Sequence, residues 1–364
     1  MSEYMILNLV PTFHEAPVSL NLFLKEASDL IECLKKQQAD LNYVLYPKQS
    51  QEMKQYLEQA EGDTKITYLP LETAGAFVYG NKTAAVRVID GEKPLPTGVD
   101  QELPVVSVEE IKATDSKTVV IGGKAKKKGS YTFSKKITPK EILEQCSSVK
   151  EWKGMYFGYP MGIMLGASQL EEEIELTTDY IHIFDETDCI LDQLYKIAER
   201  YSKESCGRCV YGFEGVTQIN MILSDLVQKK GKSEDLELLQ ELCSVMETQA
   251  LCDIGASAAR TVLTALQNFK EEVEEHVTRK NCRALVCAKY VTYHILADLC
   301  IGCTDCADAC EDDAILGKKK YVHVIDQEEC IQCGACMEAC EEGAIVKAGA
   351  VKPKTPKKPV PCGS

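Results

Sequence analysis

Two runs decide the reading of this chain: "CIGCTDCADAC" at Cys300–Cys310 and "CIQCGACMEAC" at Cys330–Cys340. Both follow the pattern C-x2-C-x2-C-x3-C, thirty residues apart. Three thiolates on one tight loop can hold three corners of an iron–sulfur cubane, and the fourth corner must come from elsewhere. Zinc sites space their cysteines along the chain in pairs rather than in tripled runs. The doubled pattern therefore points to two [4Fe-4S] clusters.

The doubled run resembles the two-cluster ferredoxins, in which the last cysteine of each run ligates the other cluster. The resemblance implies a first cluster on Cys300, Cys303, Cys306 and Cys340. It implies a second on Cys330, Cys333, Cys336 and Cys310. The proline that usually follows the fourth cysteine is Glu311 in one run and Glu341 in the other. Its loss removes a stiff exit turn but no ligand, and the added charge tends to lower the potential. "YVHVID" between the runs alternates as a strand does. Clusters with every iron saturated pass single electrons and do no bond chemistry, so the segment reads as a wire. From Asp298 to Ile345 there are twelve acidic and three basic residues, a net charge of −9. That face suggests docking of a basic partner.

The remaining composition sets bounds. A chain of 364 residues allows two or three domains. A net charge of −15 argues against general nucleic-acid binding, which needs basic surface to neutralise phosphates. No apolar run approaches the ~20 residues needed to span a membrane. The opening "MSEYMILNLVPTFHEAP" has neither a basic flank nor a cleavage pattern, which predicts a cytoplasmic protein. Eighteen cysteines in that compartment should be reduced, and their regular spacing then indicates metal rather than disulfides.

A further Cys-x2-Cys pair lies in "ESCGRCVYGFEG", Glu204–Gly215, with Cys206 and Cys209 followed by Gly212. Around it "CILDQLYKIAERYSKESC", "VTQINMILSDLVQK", "DLELLQELCSVMETQ" and "AARTVLTALQNFKEEVEEHV" repeat at helical spacing, which predicts a bundle. "ESCGRC" and "ALCDIGASAARTVLTALQNFKEEVEEHV" resemble the cluster-binding helical domain of the NADH- and flavin-binding subunit of respiratory complex I. The bridge "CRALVCAKYVTYHILADLCIGC" is similar to that of electron-bifurcating hydrogenase subunits, which add a two-cluster ferredoxin. The family binds a further [4Fe-4S] cluster through three cysteines of an "SCGxCxxC" loop and one later cysteine. Carried across, Cys206, Cys209 and Cys252 match and Gly212 does not. The resemblance implies an incomplete third cluster, [4Fe-4S] with a non-cysteine ligand or [3Fe-4S]. Cys243 is a candidate fourth ligand, and an empty site is the alternative.

Upstream the resemblance weakens. "GAFVYGNKTAAVRVIDGEKPLP" looks like the family's "GAY-x-x-GEETA" turn, and "VVSVEEI" like its "NNVETL" segment. "TVVIGGKAKKKGSYTFSKKITPKEILEQC" looks like its β-grasp (SLBB-like) domain. "DYIHIFDETDCILDQL" looks like the strand entering the bundle. The family holds flavin and NADH with a glycine-rich loop, because backbone must approach phosphate closely. Here the first glycine is Gly62, and the "GEET" glutamates are Asn81 and Lys82. Both departures imply a truncated relative without a flavin or NADH site. Gly158, Gly162 and Gly166 are the alternative flavin cradle, although "GYPMGIMLGAS" reads better as structural turns.

His276, Cys282 and Cys287 lie together on the bridge, and one imidazole with two thiolates suits zinc. A fourth ligand must come from elsewhere, with Cys243 a candidate. The bland reading is a surface histidine and two buried cysteines. Cys33, Cys146 and Cys189 are isolated and read as core thiols. His14, His182, His294 and His323 show no partner pattern. Trp152, with Tyr156 and Phe157, reads as packing.

The expected architecture is α/β multidomain. A remnant α/β domain occupies 1–110, a β-grasp domain 111–185 and an iron–sulfur helical bundle 186–280. A bridge at 281–297 leads to a two-cluster ferredoxin domain at 298–346, and 347–364 is a mobile Pro- and Lys-rich tail. The expected function is a non-catalytic iron–sulfur electron-transfer subunit of an anaerobe's multi-subunit redox complex. It would serve a flavin- or cluster-containing catalytic partner such as a hydrogenase, a formate dehydrogenase or a bifurcating oxidoreductase. A divergent flavin-containing NAD(P)H or ferredoxin oxidoreductase and an assembly scaffold are the alternatives.

Overall fold

The computed structural model describes residues 4–37, 39–60, 65–72, 76–99, 102–146 and 152–363. Gly62, and Gly75 of the "GAFVYG" segment, lie outside them. The chain divides into two compact units. The first comprises Met1–Glu186, Lys196–Met221 and Glu237–Phe269, and the second Thr187–Tyr195, Ile222–Leu236 and Lys270–Ser364.

The first unit begins with β1 (Tyr4–Asn8), α1 (Val18–Lys36), β2 (Leu41–Pro47), α2 (Gln51–Gln59) and β3 (Ile66–Leu71). Short helices α3 (Ala76–Gly80) and α4 (Lys82–Ile89) follow, then β4 (Val105–Val106) and α5 (Val108–Ile111). The strands form a parallel sheet in the order β3-β2-β1-β4. "LNYVLYP" is buried along nearly its whole length, as a parallel strand covered on both faces must be. Helix α1 turns Leu20, Phe23, Leu30 and Leu34 onto Leu7, Val44 and Met53. The strand order reverses between β1 and β4, and such switch points are where open parallel sheets bind ligands.

A second sheet takes its strands from β5 (Ser116–Gly123), β6 (Gly129–Ser134), β8 (Gly154–Phe157), β9 (Ile163–Gly166) and β11 (Tyr180–Phe184). Between them lie β7 (Lys136–Ile137), α6 (Pro139–Cys146) and β10 (Ile174–Glu175). The order is β6-β5-β11-β8-β9, with β5 and β11 parallel at the centre. Helix α6 covers one face with Ile142, Leu143 and Cys146. Lys117 is buried and bridges Asp179 at 2.5 Å and Glu109 at 3.3 Å.

Helices α7 (Ile190–Glu204), α8 (Val216–Val227), α9 (Ser233–Gln249), α10 (Asp253–Asn268) and α11 (Lys270–Thr278) follow. A π-turn at Val210–Gly215 opens α8. Helix α10 is pinned to β9 where Thr264 Oγ1 accepts from Met164 N at 2.9 Å and Asn268 Nδ2 donates to Met164 O at 2.8 Å.

In the second unit, β12 (Thr292–Ile295), α12 (Asp305–Asp308), β13 (Ile315–Leu316), β14 (Tyr321–Val322), β15 (Val324–Ile325), α13 (Ala335–Glu338) and β16 (Ile345–Ala348) form two interlocked halves. The expected single strand "YVHVID" is two short strands with His323 between them. The 347–364 segment also differs from the expected free tail. It carries β17 (Val360–Pro361), which pairs antiparallel with β14, and Cys362 N donates to Lys320 O at 3.0 Å. The open edge of β14 supplies the unpaired backbone groups that capture it. Among the described residues no helix is long and apolar enough to cross a membrane.

Candidate metal centres

The repeat positions its cysteines on loops entered through left-handed backbone. Gly302 and Gln332 have φ of 70° and 63°, and Thr304 and Gly334 have φ of 89° and 90°. These turns aim each run inward. Cys300, Cys303, Cys306 and Cys340 line one open-sided cavity, and Cys310, Cys330, Cys333 and Cys336 line another. Each cavity thus gathers three cysteines of one run and the last of the other. Burial pushes the Cys306 thiol up to about 12 and the Cys336 thiol up to about 11, with the neighbouring thiols adding to both. Four sulfurs facing one cavity cannot all be thiolates unless a cationic core compensates them, which fits an iron–sulfur cluster.

A second group is tighter. The ligand atoms of Cys189, His276, Cys282 and Cys287 all lie within 4.8 Å of one another, and all four residues are buried. Cys189 Sγ is 3.3 Å from His276 Nε2 and 3.6 Å from Cys287 Sγ, and Cys287 Sγ is 3.8 Å from Nε2. Tetrahedral zinc with ~2.3 Å bonds to sulfur holds thiolates about 3.8 Å apart. His276 Nδ1 donates to Glu272 O at 2.8 Å, one turn back on α11, which turns Nε2 toward the sulfurs. Burial lowers the His276 pKa, but hydrogen bonds to Cys189 and Cys282 outweigh it and push it up to about 10. Hydrogen bonds from Cys189 and Cys287 draw the Cys282 thiol far below its ordinary range. The expected trio is therefore together, and its fourth member is Cys189. That corrects the reading of Cys189 as an isolated core thiol and of Cys243 as the missing ligand. Cys189 sits just before α7, where Ile190 N donates to Glu272 Oε1 at 2.9 Å. Lying 87 residues from His276 in sequence, it gave no spacing signal.

The bundle loop is looser. Cys209 Sγ accepts from Gly212 N at 3.2 Å at the mouth of the π-turn. A Cβ at Gly212 would point at the same sulfur, 2.6 Å away. Cys252 precedes α10, and burial pushes its thiol up to about 11 while the N–H groups of Ile254 and Gly255 pull the other way. The other thiols acting on Cys252 are those of Cys209 and Cys206. Gly255 allows the first turn of α10 to approach Gly212. Cys243 is buried on α9, and burial pushes its thiol up to about 12.

At the switch point of the parallel sheet, the turn after β1 sends Phe13 inward, 1% exposed. Its ring stacks on Tyr180 at 5.0 Å and meets Phe77 at 5.2 Å, and the Arg200 guanidinium lies 4.3 Å from the Phe13 centroid. Phe77 stacks on Tyr159 at 4.8 Å. A Cβ at Gly158 would strike Phe13, one at Gly162 Ser257, and one at Gly166 would press on Phe269, so packing occupies all three glycines. Asn81 caps α4, accepting from Thr83 N at 3.1 Å and Ala84 N at 3.3 Å, and its Nδ2 donates to Gly98 O at 2.9 Å. Lys82 pairs with Glu110 at 3.5 Å.

Residues 192–276 match the family described as the NADH-ubiquinone oxidoreductase-F iron-sulfur binding region, and residues 299–344 match the 4Fe-4S dicluster domain. The chain is homologous to the F-type, iron–sulfur-binding subunits of such oxidoreductases. It is 28% identical over 294 residues to the NADP-reducing hydrogenase subunit HndC of Solidesulfovibrio fructosivorans, covering 69% of this chain and 60% of that one. It is 24% identical over 253 residues to the F-type subunit of the NADH-quinone oxidoreductase of Streptomyces coelicolor, covering 57% and 56%. The chain thus spans somewhat more than half the length of these relatives. In fold it resembles a chain of the NAD+-reducing [NiFe]-hydrogenase in its H2-reduced state, with a TM-score of 0.63 and 18% identity over 76% of this chain and 57% of that one. These likenesses relate the chain to F-type subunits through the iron–sulfur binding region and the dicluster domain that it matches.

One residue escaped the sequence reading besides Cys189. His323 lines the cavity of Cys300, Cys303, Cys306 and Cys340. The thirty-residue repeat contains the signal: Tyr293 and His323 each stand seven residues before the first cysteine of a run.

Proposed function

We propose that this chain is a conducting subunit of a multi-subunit redox complex and does not itself oxidise NADH. The observation that carries the reading is the pairing of two four-cysteine cavities with a switch point filled by Phe13, Phe77 and Tyr159. The clusters, when bound, accept and release single electrons. The residues here hold and insulate them: Cys300, Cys303, Cys306 and Cys340 around the first, Cys310, Cys330, Cys333 and Cys336 around the second. Cys206, Cys209 and Cys252 hold a third iron–sulfur cluster with three thiolates. Cys189, His276, Cys282 and Cys287 hold a structural zinc with no open position. Residues 111–185 serve as a β-grasp domain, which the parallel pair β5 and β11 beside the β5–β6 hairpin supports. The acidic segment 298–345 faces a basic partner subunit, and the complex resides in the cytoplasm.

The test is a count of iron, zinc and flavin on protein purified without oxygen, followed by addition of NADH. We expect about eleven or twelve irons and one zinc per chain, no flavin, and no bleaching by NADH where dithionite bleaches. Stoichiometric flavin with bleaching by NADH alone would make the chain an enzyme and sink the conducting reading.

A further inference from the structure

The two cluster halves differ at one buried position. Tyr293 lines the cavity of Cys310, Cys330, Cys333 and Cys336, and its repeat equivalent His323 lines that of Cys300, Cys303, Cys306 and Cys340. His323 is 1% exposed, and neither of its ring nitrogens has a partner among the described residues. Its seat is shaped for the ring: a Cβ at Gly317 would stand 2.7 Å from Cγ and 2.8 Å from Nε2. Tyr293 is seated differently, with its hydroxyl over Gly334. A neutral imidazole always carries one N–H. Burying that donor without an acceptor is costly, so such groups are rare unless a bound group satisfies them. Four sulfurs bound the cavity, and the sulfurs of a bound cluster are charged acceptors.

We propose that His323 donates its ring N–H to a sulfur of the cluster held by Cys300, Cys303, Cys306 and Cys340, and that this makes it the more easily reduced cluster of the pair. The inference rests on the reading that both cavities hold clusters. Reduction adds one electron and one negative charge to the cluster, and no bond breaks. A donor aimed at its sulfur stabilises the more negative state, so the midpoint rises. Tyr293 leaves the other cluster without that imidazole donor. An electron shared between the two then rests on the Cys300 side.

The experiment is an EPR-monitored redox titration of the full chain, purified without oxygen, as wild type, His323→Phe, His323→Asn and Tyr293→His. In His323→Phe, with iron content unchanged, one midpoint should fall by a factor of about ten in the reduced-to-oxidised ratio, ~59 mV for one electron. The second midpoint should stay. His323→Asn, which keeps an N–H, should lie closer to wild type than His323→Phe. Tyr293→His should raise the second midpoint and narrow the gap. Unshifted midpoints in an iron-replete His323→Phe overturn the proposal. Should that variant fail to load iron, an unshifted second midpoint in Tyr293→His overturns it instead. Wild-type protein with fewer than about eight irons refutes the cluster reading itself, and the iron count reveals that before any variant is titrated.

Discussion

The C-terminal repeat and the bundle loop treat the same ligand differently. In the repeat, eight cysteines converge four to a cavity, on turns whose left-handed residues recur in both halves. In the bundle loop, the run continues from Cys206 and Cys209 to a glycine whose own N–H bonds to the Cys209 sulfur. Gly255 fits closely against the backbone of that glycine, while a side chain at position 212 would itself meet only the Cys209 sulfur. The buried group of Cys189, His276, Cys282 and Cys287 is a third case. It is complete, yet it is assembled from pieces far apart in sequence. Completeness of a site and regularity of its spacing are therefore separate properties. Spacing reports which loop carries the ligands, and only the fold reports which loops meet.

The largest effect expected from breaking this comparison is at the proposed zinc site of Cys189, His276, Cys282 and Cys287. Structural zinc contributes on the order of 10 kcal/mol to small metal-organised folds. Cys189→Ser and His276→Ala should each abolish bound zinc and cost the second unit its cooperative unfolding, while Cys243→Ser keeps both. Metal content together with thermal unfolding reads this directly. A Cys189→Ser protein that still carries one zinc would remove Cys189 from the site. The next effect lies in the first unit, where Phe13 packs on Phe77, Tyr180 and Arg200 at the switch point of the parallel sheet. Phe13→Ala should cost about 3–5 kcal/mol without creating a flavin site. Denaturant unfolding followed through Trp152, the single tryptophan, isolates that transition. A loss below about 1 kcal/mol would show that Phe13 is not a packing plug.

Gly212→Cys sharpens the comparison between loop and repeat. It should convert the three-thiolate site to a four-cysteine one, adding about one iron per chain and replacing a [3Fe-4S] EPR signal with a [4Fe-4S] one. The new Cβ crowds only the Cys209 sulfur, the end of a side chain that can turn, so the fold should survive. An iron count that stays at about eight in both proteins would mean that the loop holds no cluster even with its fourth thiol restored.

Much of the molecule was legible because the relevant signals are local. The two cysteine runs, and the helical repeats that flank the Cys206 loop, each declare themselves within one or two dozen residues. Cys189 did not, because a ligand standing alone before a helix looks like any buried thiol until α11 and the bridge are brought beside it. His323 was missed for a related reason. Its role depends on a cavity formed by the other run, and only the register of the repeat, Tyr293 against His323, hints at it. The strand at Val360–Pro361 was read as a free tail because two residues of pairing are decided by the open edge of β14, not by the tail's own composition.

The smallest effect concerns how evenly the two halves are built. Thr304 and Gly334 occupy the same left-handed position before α12 and α13, at φ of 89° and 90°. A β-branched residue is strained there, by roughly 1–2 kcal/mol, and Thr304 gives its helix no side-chain cap in return. Glycine relieves the strain but adds freedom to the unfolded chain, so Thr304→Gly should gain about 1 kcal/mol or less. The reverse change is not its mirror image. A side chain at Gly334 would meet both the same backbone strain and the Tyr293 hydroxyl, 2.7 Å from the new Cβ. Gly334→Thr should therefore lose more than Thr304→Gly gains, and it should disturb the cavity Tyr293 lines. Equal and opposite shifts in unfolding midpoint would show that the tyrosine is not held against that turn, and that the two halves differ only in backbone.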